Sequence, residues 1–358
     1  MNNSFKLSGK MIGDGHPCFI TFELGPTHNG VASAKRLIQC AANAGADAVK
    51  VQIFDPDRLV ADKKQLFSYS VLKDRDTGEL ETVEEPLYDI LVRRCLSEPD
   101  WVDVKSFCDQ LGIAFFSTVG FDEDVDLLEK LNCDSIKIAS ADVNHFPLLR
   151  KAAKTGMSIQ LDTGMATLGE IEAAVDVIKA EGNEKIIIHQ CPSGYPARLE
   201  SINLRIIPTL KKMFPYPVAY SDHTPGNEMD IAALALGANM VEKTITEDRM
   251  TRSVEHVMSL EPNEVSSFVK TIREVEVGLG IERRIMSPDE LKRRDAIRRS
   301  IFIRSPAKKG QRLVECDIEF RRPGFGISPD QYHLLKEAIV NRDIDSGQLL
   351  QLKDLSWS

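Results

Sequence analysis

The fold follows from one stretch near the N-terminus, residues 18–53, which reads CFITFELGPTHNGVASAKRLIQCAANAGADAVKVQI. It begins with an apolar run at 18–24 and ends with a second apolar run at 48–53. Between them, residues 32–44 have the spacing of an amphipathic helix. Two apolar strands joined by a helix are typical of a parallel βαβ unit whose strands are buried on both faces.

The same alternation of apolar runs and helix-like segments continues to about residue 245. The runs cover residues 18–24, 48–53, 113–117, 135–138, 158–161, 185–189, 217–220 and 239–243. Eight such units within about 230 residues favour an α/β fold of the (β/α)8 TIM-barrel type over an open doubly wound sheet.

Two parts of the sequence depart from this pattern. Residues 55–98 are too long and polar for a routine connection. Because they follow a strand, they are predicted to cover the carboxyl-terminal face of the barrel, either as a functional segment or as a tolerated insertion. Residues 296–358 have short alternating runs and turn signals that indicate a small β-rich module. We therefore predict a barrel domain at 1–280, a charged linker or connecting helix at 281–295, and a second domain at 296–358.

Composition and charge narrow the classes of function. The 358 residues are 42% hydrophobic and 28% charged, as in soluble globular proteins. The formal net charge of −9 argues against binding to nucleic acid or to an anionic membrane surface. No apolar stretch is long enough for a membrane span. Seven scattered cysteines without a Cys-x-x-Cys pair predict reduced thiols in a cytoplasmic protein, and no structural zinc.

Polar residues gather where the predicted strands end, which in a parallel barrel is a single face. These residues are Glu23, Lys50, Gln52, Thr118, Lys137, Ser140, Asp162, Thr163, His189, Ser193, Tyr195, Ser221, His223, Glu242 and Thr244. Two lysines, Lys50 and Lys137, are costly in a barrel mouth unless anions meet them. Together with the hydroxyl groups they predict a site for a multiply charged phosphate or carboxylate ligand. Glu23 and His223 add acid–base or metal-binding capacity, whereas His189 could equally be a hydrogen-bonded core histidine.

Ordered motifs on these segments resemble the sialic acid (nonulosonic acid) synthase family. The motifs read ELG at 23–25, HNG at 28–30, GADAVKVQ at 45–52, KIAS at 137–140, TGM at 163–165, YSDHT at 220–224, SLEP at 259–262, RPGFGI at 322–327 and GQLL at 347–350. The resemblance runs from about residue 17 to residue 355. It implies a TIM barrel followed by a small C-terminal antifreeze-like (SAF) domain.

The resemblance also implies an activity, namely condensation of phosphoenolpyruvate with an N-acetylmannosamine-type aldose to give a 3-deoxy-2-keto acid and phosphate. By analogy the catalytic residues are Glu23, Lys50, Lys137 and His223. The implied phosphoenolpyruvate-binding residues are Lys50, Thr118, Lys137, Ser140, Thr163, Ser193 and Ser221. The implied sugar-binding residues are Gln52, Tyr195, Glu255 and Arg322. In the family an arginine of the SAF domain, matched by Arg322, reaches the barrel of the partner subunit, which implies a domain-swapped homodimer.

The sequence departs from the family pattern at positions that bear on the chemistry. The family holds a divalent metal, manganese or magnesium, with two histidines; His223 matches the first, but Thr244 occupies the position of the second. A hydroxyl is a far poorer ligand for a transition metal than an imidazole, although Glu255 could serve as a substitute oxygen ligand. Asp162 replaces a serine and should weaken phosphate binding unless it pairs with a lysine.

Three interpretations follow from these departures. The first is an active synthase with weak or no dependence on metal. The second is a synthase that uses a different acceptor sugar. The third is a non-catalytic homologue that binds a sugar phosphate.

Overall fold

A computed structural model describes residues 4–357 of the chain. The chain divides into two compact units, Met1–Gly280 and Ile281–Ser358. Within residues 4–357 no helix is both long and apolar enough to cross a bilayer. All seven cysteines are free thiols, as their scattered spacing predicts.

The first unit contains a closed, parallel, eight-stranded barrel, which confirms the predicted fold class. It opens with a hairpin of β1 (Phe5–Leu7) and β2 (Lys10–Ile12). The barrel strands are β3 (Phe19–Glu23), β4 (Ala48–Gln52), β7 (Ala114–Val119), β8 (Ser135–Ile138), β9 (Ser158–Asp162), β10 (Ile186–Gln190), β11 (Val218–Asp222) and β12 (Met240–Thr244). Pairing of β12 with β3, in which Thr244 lies opposite Glu23, closes the ring between its last and first strands.

Helices surround the barrel; all but two short ones, at 56–59 and 87–92 in the inserted segment, contribute to the apolar core on its outer face. They are α1 (Val31–Ala44), α2 (Pro56–Leu59), α3 (Leu87–Val92), α4 (Glu98–Leu111), α5 (Asp122–Lys130), α6 (Phe146–Lys154), α7 (Leu168–Ala180), α8 (Leu199–Ile202), α9 (Ile206–Met213), α10 (Glu228–Ala235) and α11 (Pro262–Leu279). One apolar core fills the space between strands and helices. A second, smaller cluster fills the lower barrel interior, where Leu7 and Ile12 of the N-terminal hairpin pack against Phe19, Phe116 and Met240.

The segment at 55–98 contains an antiparallel hairpin of β5 (Leu66–Leu72) and β6 (Leu80–Pro86). Arg75 in its turn donates hydrogen bonds to Glu261 at 2.6 and 2.8 Å and to Asp248 at 2.7 Å. Both carboxylates lie beyond the end of β12. The insertion is therefore tied to the carboxyl-terminal face of the barrel, where its position after a strand predicts it.

The second unit has its own apolar core, which includes Ile301, Ile303, Leu313, Val340 and Leu350. Its strands are β13 (Ser300–Ile303), β14 (Ile318–Arg321), β15 (Ile339–Val340) and β16 (Leu355–Ser356), paired as two short antiparallel ladders. Its helices are α12 (Pro288–Ile297) and α13 (Tyr332–Leu335). Much of the charged segment at 281–295 is thus helical, and Ser287 and Glu290 form a capping box at the start of α12.

Candidate active site

A cavity of about 460 Å³ opens at the carboxyl ends of the barrel strands. The predicted site residues that line it are Glu23, Lys50, Gln52, Thr118, Ser140, Tyr195, His223 and Glu255. Lys50 and Gln52 are both on this wall because alternate residues of a strand face the same side. The structure therefore gathers residues from seven different parts of the sequence around one space.

The cavity floor is built from buried ion pairs centred on Glu242. Its Oε1 lies 2.9 Å from Lys50 Nζ and its Oε2 lies 2.9 Å from Lys137 Nζ. Lys50 also contacts Glu23. Burial alone would raise the pKa of Glu242, but Lys137 and Lys50 outweigh it and hold that pKa well below its usual range. Glu242 is therefore an ionised carboxylate that both lysines share.

Asp162 pairs with a lysine, which satisfies the condition that the sequence raised. Its Oδ1 lies 2.9 Å from Lys137 Nζ. Lys137 is fully buried and also reaches Ser221 Oγ at 3.0 Å. Lys137 itself does not line the cavity, whereas Asp162 and Glu242, the two carboxylates that pair with it, do.

Burial has opposite effects on the pKa values of acids and bases in this wall. It lowers the pKa of an imidazole and raises that of a carboxyl group, because both then favour the neutral form. His189 is fully buried with its Nδ1 3.2 Å from Lys137 Nζ, and burial together with Lys137 holds its pKa well below the usual value. Burial, with a contribution from Glu23, raises the pKa of Glu255 to about 8. The neutral His189 is the hydrogen-bonded core histidine that the sequence left as one alternative.

The donor set around His223 does not fit a metal centre. His223 Nδ1 donates to the Pro192 carbonyl at 2.9 Å, which leaves Nε2 as the one ring nitrogen with a free lone pair. The Thr244 hydroxyl is engaged with Glu255 Oε2 at 3.4 Å. Nowhere in residues 4–357 do three or more histidine, cysteine, aspartate or glutamate side chains form a group that could hold an ion.

Four predicted site residues of the first unit do not line the cavity: Lys137, Thr163, Ser193 and Ser221. Thr163 is buried and its hydroxyl donates to the His189 carbonyl at 2.7 Å, so it is not part of the cavity wall. Ser193 is exposed in the loop that follows β10. Arg322 is an exposed residue of the second unit.

Two residues of the site were not assigned a role from the sequence. Glu242 was read only as part of a strand end, although its inward position follows from alternation with Met240 and Thr244. Arg94 belongs to the insertion, where no periodic pattern distinguishes it from neighbouring charges. It lines the cavity, and its guanidinium donates to the His28 carbonyl at 2.6 Å and contacts His256 Nε2 at 3.1 Å.

Comparisons with known proteins agree with this architecture. A model of the NeuB family matches residues 37–284. An N,N'-diacetyllegionaminic acid synthase of Legionella pneumophila is 34% identical, with 98% of each chain covered. A human N-acetylneuraminate-9-phosphate synthase is 32% identical, with 97% of this chain and 95% of that one covered.

Solved structures give the same result. A crystal structure of N-acetylneuraminic acid (sialic acid) synthetase from Leptospira borgpetersenii in complex with citrate is similar with a TM-score of 0.71 and 28% identity. The similarity covers 82% of this chain and 95% of that one. With the family model spanning more than half of the sequence and with relatives above 30% identity along nearly its whole length, the chain belongs to the NeuB family.

Proposed function

We propose that this protein joins phosphoenolpyruvate to an N-acetylmannosamine-type aldose and releases a nonulosonic (sialic-acid-like) 3-deoxy-2-keto acid and phosphate. The observation that carries this proposal is the row of buried charges on the cavity floor, in which Lys50 and Lys137 share Glu242. Lys50 in the cavity wall and Lys137 directly beneath the floor carboxylates suit a substrate that has both a phosphate and a carboxylate. The synthases among the relatives support the same class of product.

The reaction balances as follows. Carbon C3 of the enol attacks the aldehyde carbon, and the aldehyde oxygen takes up a proton to become a hydroxyl group. Water adds at C2 and gives up a proton. The tetrahedral intermediate then collapses to the ketone as the C2–O bond to phosphate breaks.

Glu23 is the proposed base or orienting group for the attacking water. Its Oε1 accepts a hydrogen bond from the Gly25 backbone at 2.5 Å, and its Oε2 contacts Lys50. Burial raises the pKa of Glu23 even beside that lysine, which makes the carboxylate a better proton acceptor than an exposed one. Gln52 and Tyr195, on the same wall, are the proposed contacts of the sugar.

We propose that the reaction needs no divalent metal. The grounds are the side chains available as metal ligands. Thr244 occupies the position at which the family has its second histidine, and its hydroxyl is hydrogen-bonded to Glu255. Lys50 and Lys137 supply the positive charge that the anionic groups of the substrate require. His223 stays in the proposed catalytic set through its free Nε2, which can accept a proton near the acceptor.

The assembly and location of the enzyme are proposals that rest on the family resemblance. We propose a cytoplasmic, domain-swapped homodimer in which the second unit is the antifreeze-like domain. Arg322 of this unit would then complete the acceptor site in the barrel of the partner subunit.

The test is phosphate release from phosphoenolpyruvate against a panel of acceptor sugars, run in EDTA and with manganese added back. Turnover that survives EDTA supports a metal-independent synthase, and the panel identifies the acceptor. Turnover that requires manganese overturns the metal-independent chemistry while keeping the condensation. Binding of phosphoenolpyruvate without turnover of any sugar would instead favour a non-catalytic homologue.

A further inference from the structure

Arg94 is a buried cation on the cavity wall that forms no ion pair within residues 4–357. Its side chain is only 6% exposed. Of the five N–H groups of a guanidinium, one donates to a backbone carbonyl and one contacts an imidazole, and Nε has no partner. No carboxylate oxygen of residues 4–357 lies within 4 Å of its nitrogens.

The groups around Arg94 do not neutralise its charge. Burial and the nearby guanidinium lower the pKa of His256 to about 3 and that of His28 to about 4, so both imidazoles are neutral at pH 7. Burial lowers the pKa of Arg94 only to about 10, so it stays charged. Glu255, the carboxyl group in the cavity that acts on it, has a pKa of about 8 and is mostly protonated at pH 7. Glu85 also acts on Arg94, but its carboxylate forms its ion pair with Arg93 at 2.6 Å.

The position of Arg94 separates it from the lysines of the floor. It follows α3, and its charged neighbours are Arg93, Glu255 and Glu85. Lys50, by contrast, is surrounded by Glu23, Glu242 and Asp162. The insertion and the segment after β12 also contribute apolar side chains to the cavity lining, namely Phe67, Leu87, Ile90, Leu91 and Val254. A cation set in such a wall is stabilised by an anion that enters the cavity.

We propose that Arg94 is a specificity-determining residue that binds an anionic substituent, a phosphate ester or a carboxylate, on the acceptor sugar. This inference rests on the proposed condensation and narrows its acceptor class. A planar guanidinium with unused donors matches two oxygens of either anion at once. The floor lysines remain for phosphoenolpyruvate, so the two anionic substrates use different cations.

The first test compares three acceptors with the wild-type enzyme: N-acetylmannosamine, its 6-phosphate and the corresponding 6-carboxylate. The expected result is a kcat/KM at least about tenfold higher for one of the anionic acceptors than for the neutral sugar. The preferred anion distinguishes a phosphate ester from a carboxylate. An equal kcat/KM for all three acceptors, or a higher value for the neutral sugar, overturns the inference. This test needs only the wild-type enzyme, so it does not depend on the folding of a variant.

The second test uses Arg94→Gln and Arg94→Lys, with Arg93→Gln as the matched control. Arg93 is the adjacent residue, but it is half exposed, pairs with Glu85 at 2.6 Å and does not line the cavity. Arg94→Gln should abolish the preference for the anionic acceptor and Arg94→Lys should retain part of it, while the KM for phosphoenolpyruvate stays within about twofold. A rise confined to the KM for phosphoenolpyruvate would assign Arg94 to the other substrate and refute the proposal.

Calorimetric binding of N-acetylmannosamine and of its 6-phosphate tests the anion site separately from the condensation reaction, because binding needs no turnover. Binding of the 6-phosphate that is lost in Arg94→Gln but kept in Arg93→Gln supports the anion site even if no sugar releases phosphate. In that case the condensation fails and the anion site stands. Binding of the 6-phosphate that Arg94→Gln leaves unchanged overturns the site, whatever the activity.

Discussion

At the residue scale, the floor of the cavity is a balance of buried charges in which each group depends on its neighbours. Glu242 and Asp162 are tolerated inside the barrel because Lys137 pairs with both at 2.9 Å. Removing one partner of a buried pair leaves the other without compensation, at a cost of about 3–5 kcal/mol. Conservative substitutions are therefore better probes of chemistry here than truncations to alanine.

Glu23→Gln tests the role of the base. The amide keeps the shape of the side chain but cannot accept the proton of the attacking water, so kcat for phosphate release should fall by about 10²–10⁴-fold. Phosphoenolpyruvate should still bind, as measured by calorimetry, and circular dichroism should report an intact fold. Turnover close to that of the wild type would remove Glu23 from the mechanism.

Glu255→Gln tests the raised pKa of Glu255 through the pH dependence of stability. In the unfolded chain Glu255 loses its proton near pH 4.5, whereas in the fold it keeps the proton up to about pH 8. Since the folded state binds the proton more tightly, the wild type should lose stability relative to Glu255→Gln as the pH rises from about 4.5 to 8, by a few kcal/mol in total. Urea unfolding of both proteins at pH 5, 7 and 9 measures the difference. Parallel stability curves would mean that Glu255 ionises normally.

The sequence predicted residues of this site unevenly, for physical reasons. Strand alternation was enough to place Lys50 and Gln52 on one wall. The partners of Lys137 depend on the register between β8, β9 and the distant β12, which no local pattern encodes. The orientation of Thr163 also could not be predicted, because a strand-end hydroxyl can turn to a backbone carbonyl, here that of His189, instead of the cavity.

At the element scale, the sequence predicts where the hairpin of β5 and β6 lies but not that it is a hairpin. Its position over the barrel follows from its place after β4. The sequence of β6, LETVEEP at 80–86, has no alternation of apolar and polar residues and gives no strand signal. That of β5, LFSYSVL at 66–72, does alternate, with Tyr69 and Val71 buried, and is the local signal that could have located the hairpin. The hairpin nevertheless supplies Phe67 to the cavity, and the segment that follows it supplies Arg94.

Arg75→Ala should loosen this hairpin without unfolding the barrel. The change removes the hydrogen bonds to Glu261 and Asp248, but Arg75 is half exposed, so the loss of stability should be at most about 1 kcal/mol. Hydrogen exchange in residues 66–86 should accelerate, and the KM for the acceptor should rise more than that for phosphoenolpyruvate. Lys73→Ala is the matched control, because Lys73 pairs with Glu79 within the same turn and does not tie the hairpin to the barrel. Equal exchange rates in the two variants would show that Arg75 is not the tether.

At the scale of the whole molecule, the chain consists of two compact units with separate apolar cores. Alternation of strands and helices predicted the barrel, since eight repeats of one unit leave little choice of topology. The second unit has only short strands, so its composition indicated a β-rich module but not the pairing of β13 with β14 or β15 with β16. Its proposed contribution to the acceptor site depends on how two chains assemble.

Arg322→Ala tests that assembly. If the second unit completes the acceptor site of a partner subunit, the variant should raise the KM for the acceptor by about tenfold or more and leave the KM for phosphoenolpyruvate unchanged. Light scattering should show a dimer for both the wild type and the variant. A monomeric wild type, or an effect on phosphoenolpyruvate alone, would contradict the domain-swapped arrangement.

The closure of the barrel by β12 against β3 also sets an order of events during synthesis. The ribosome delivers the N-terminal strands first, at about 5–20 residues per second. Lys50 and Lys137 therefore emerge well before Glu242, the carboxylate that they share, at position 242 of 358. Until then no strand can close the barrel against β3, so any sheet that has formed has two unpaired edges, which is the kind of surface that molecular chaperones cover. A translational pause before residue 240 would thus leave a chain that contains both lysines but lacks the carboxylate that pairs with them.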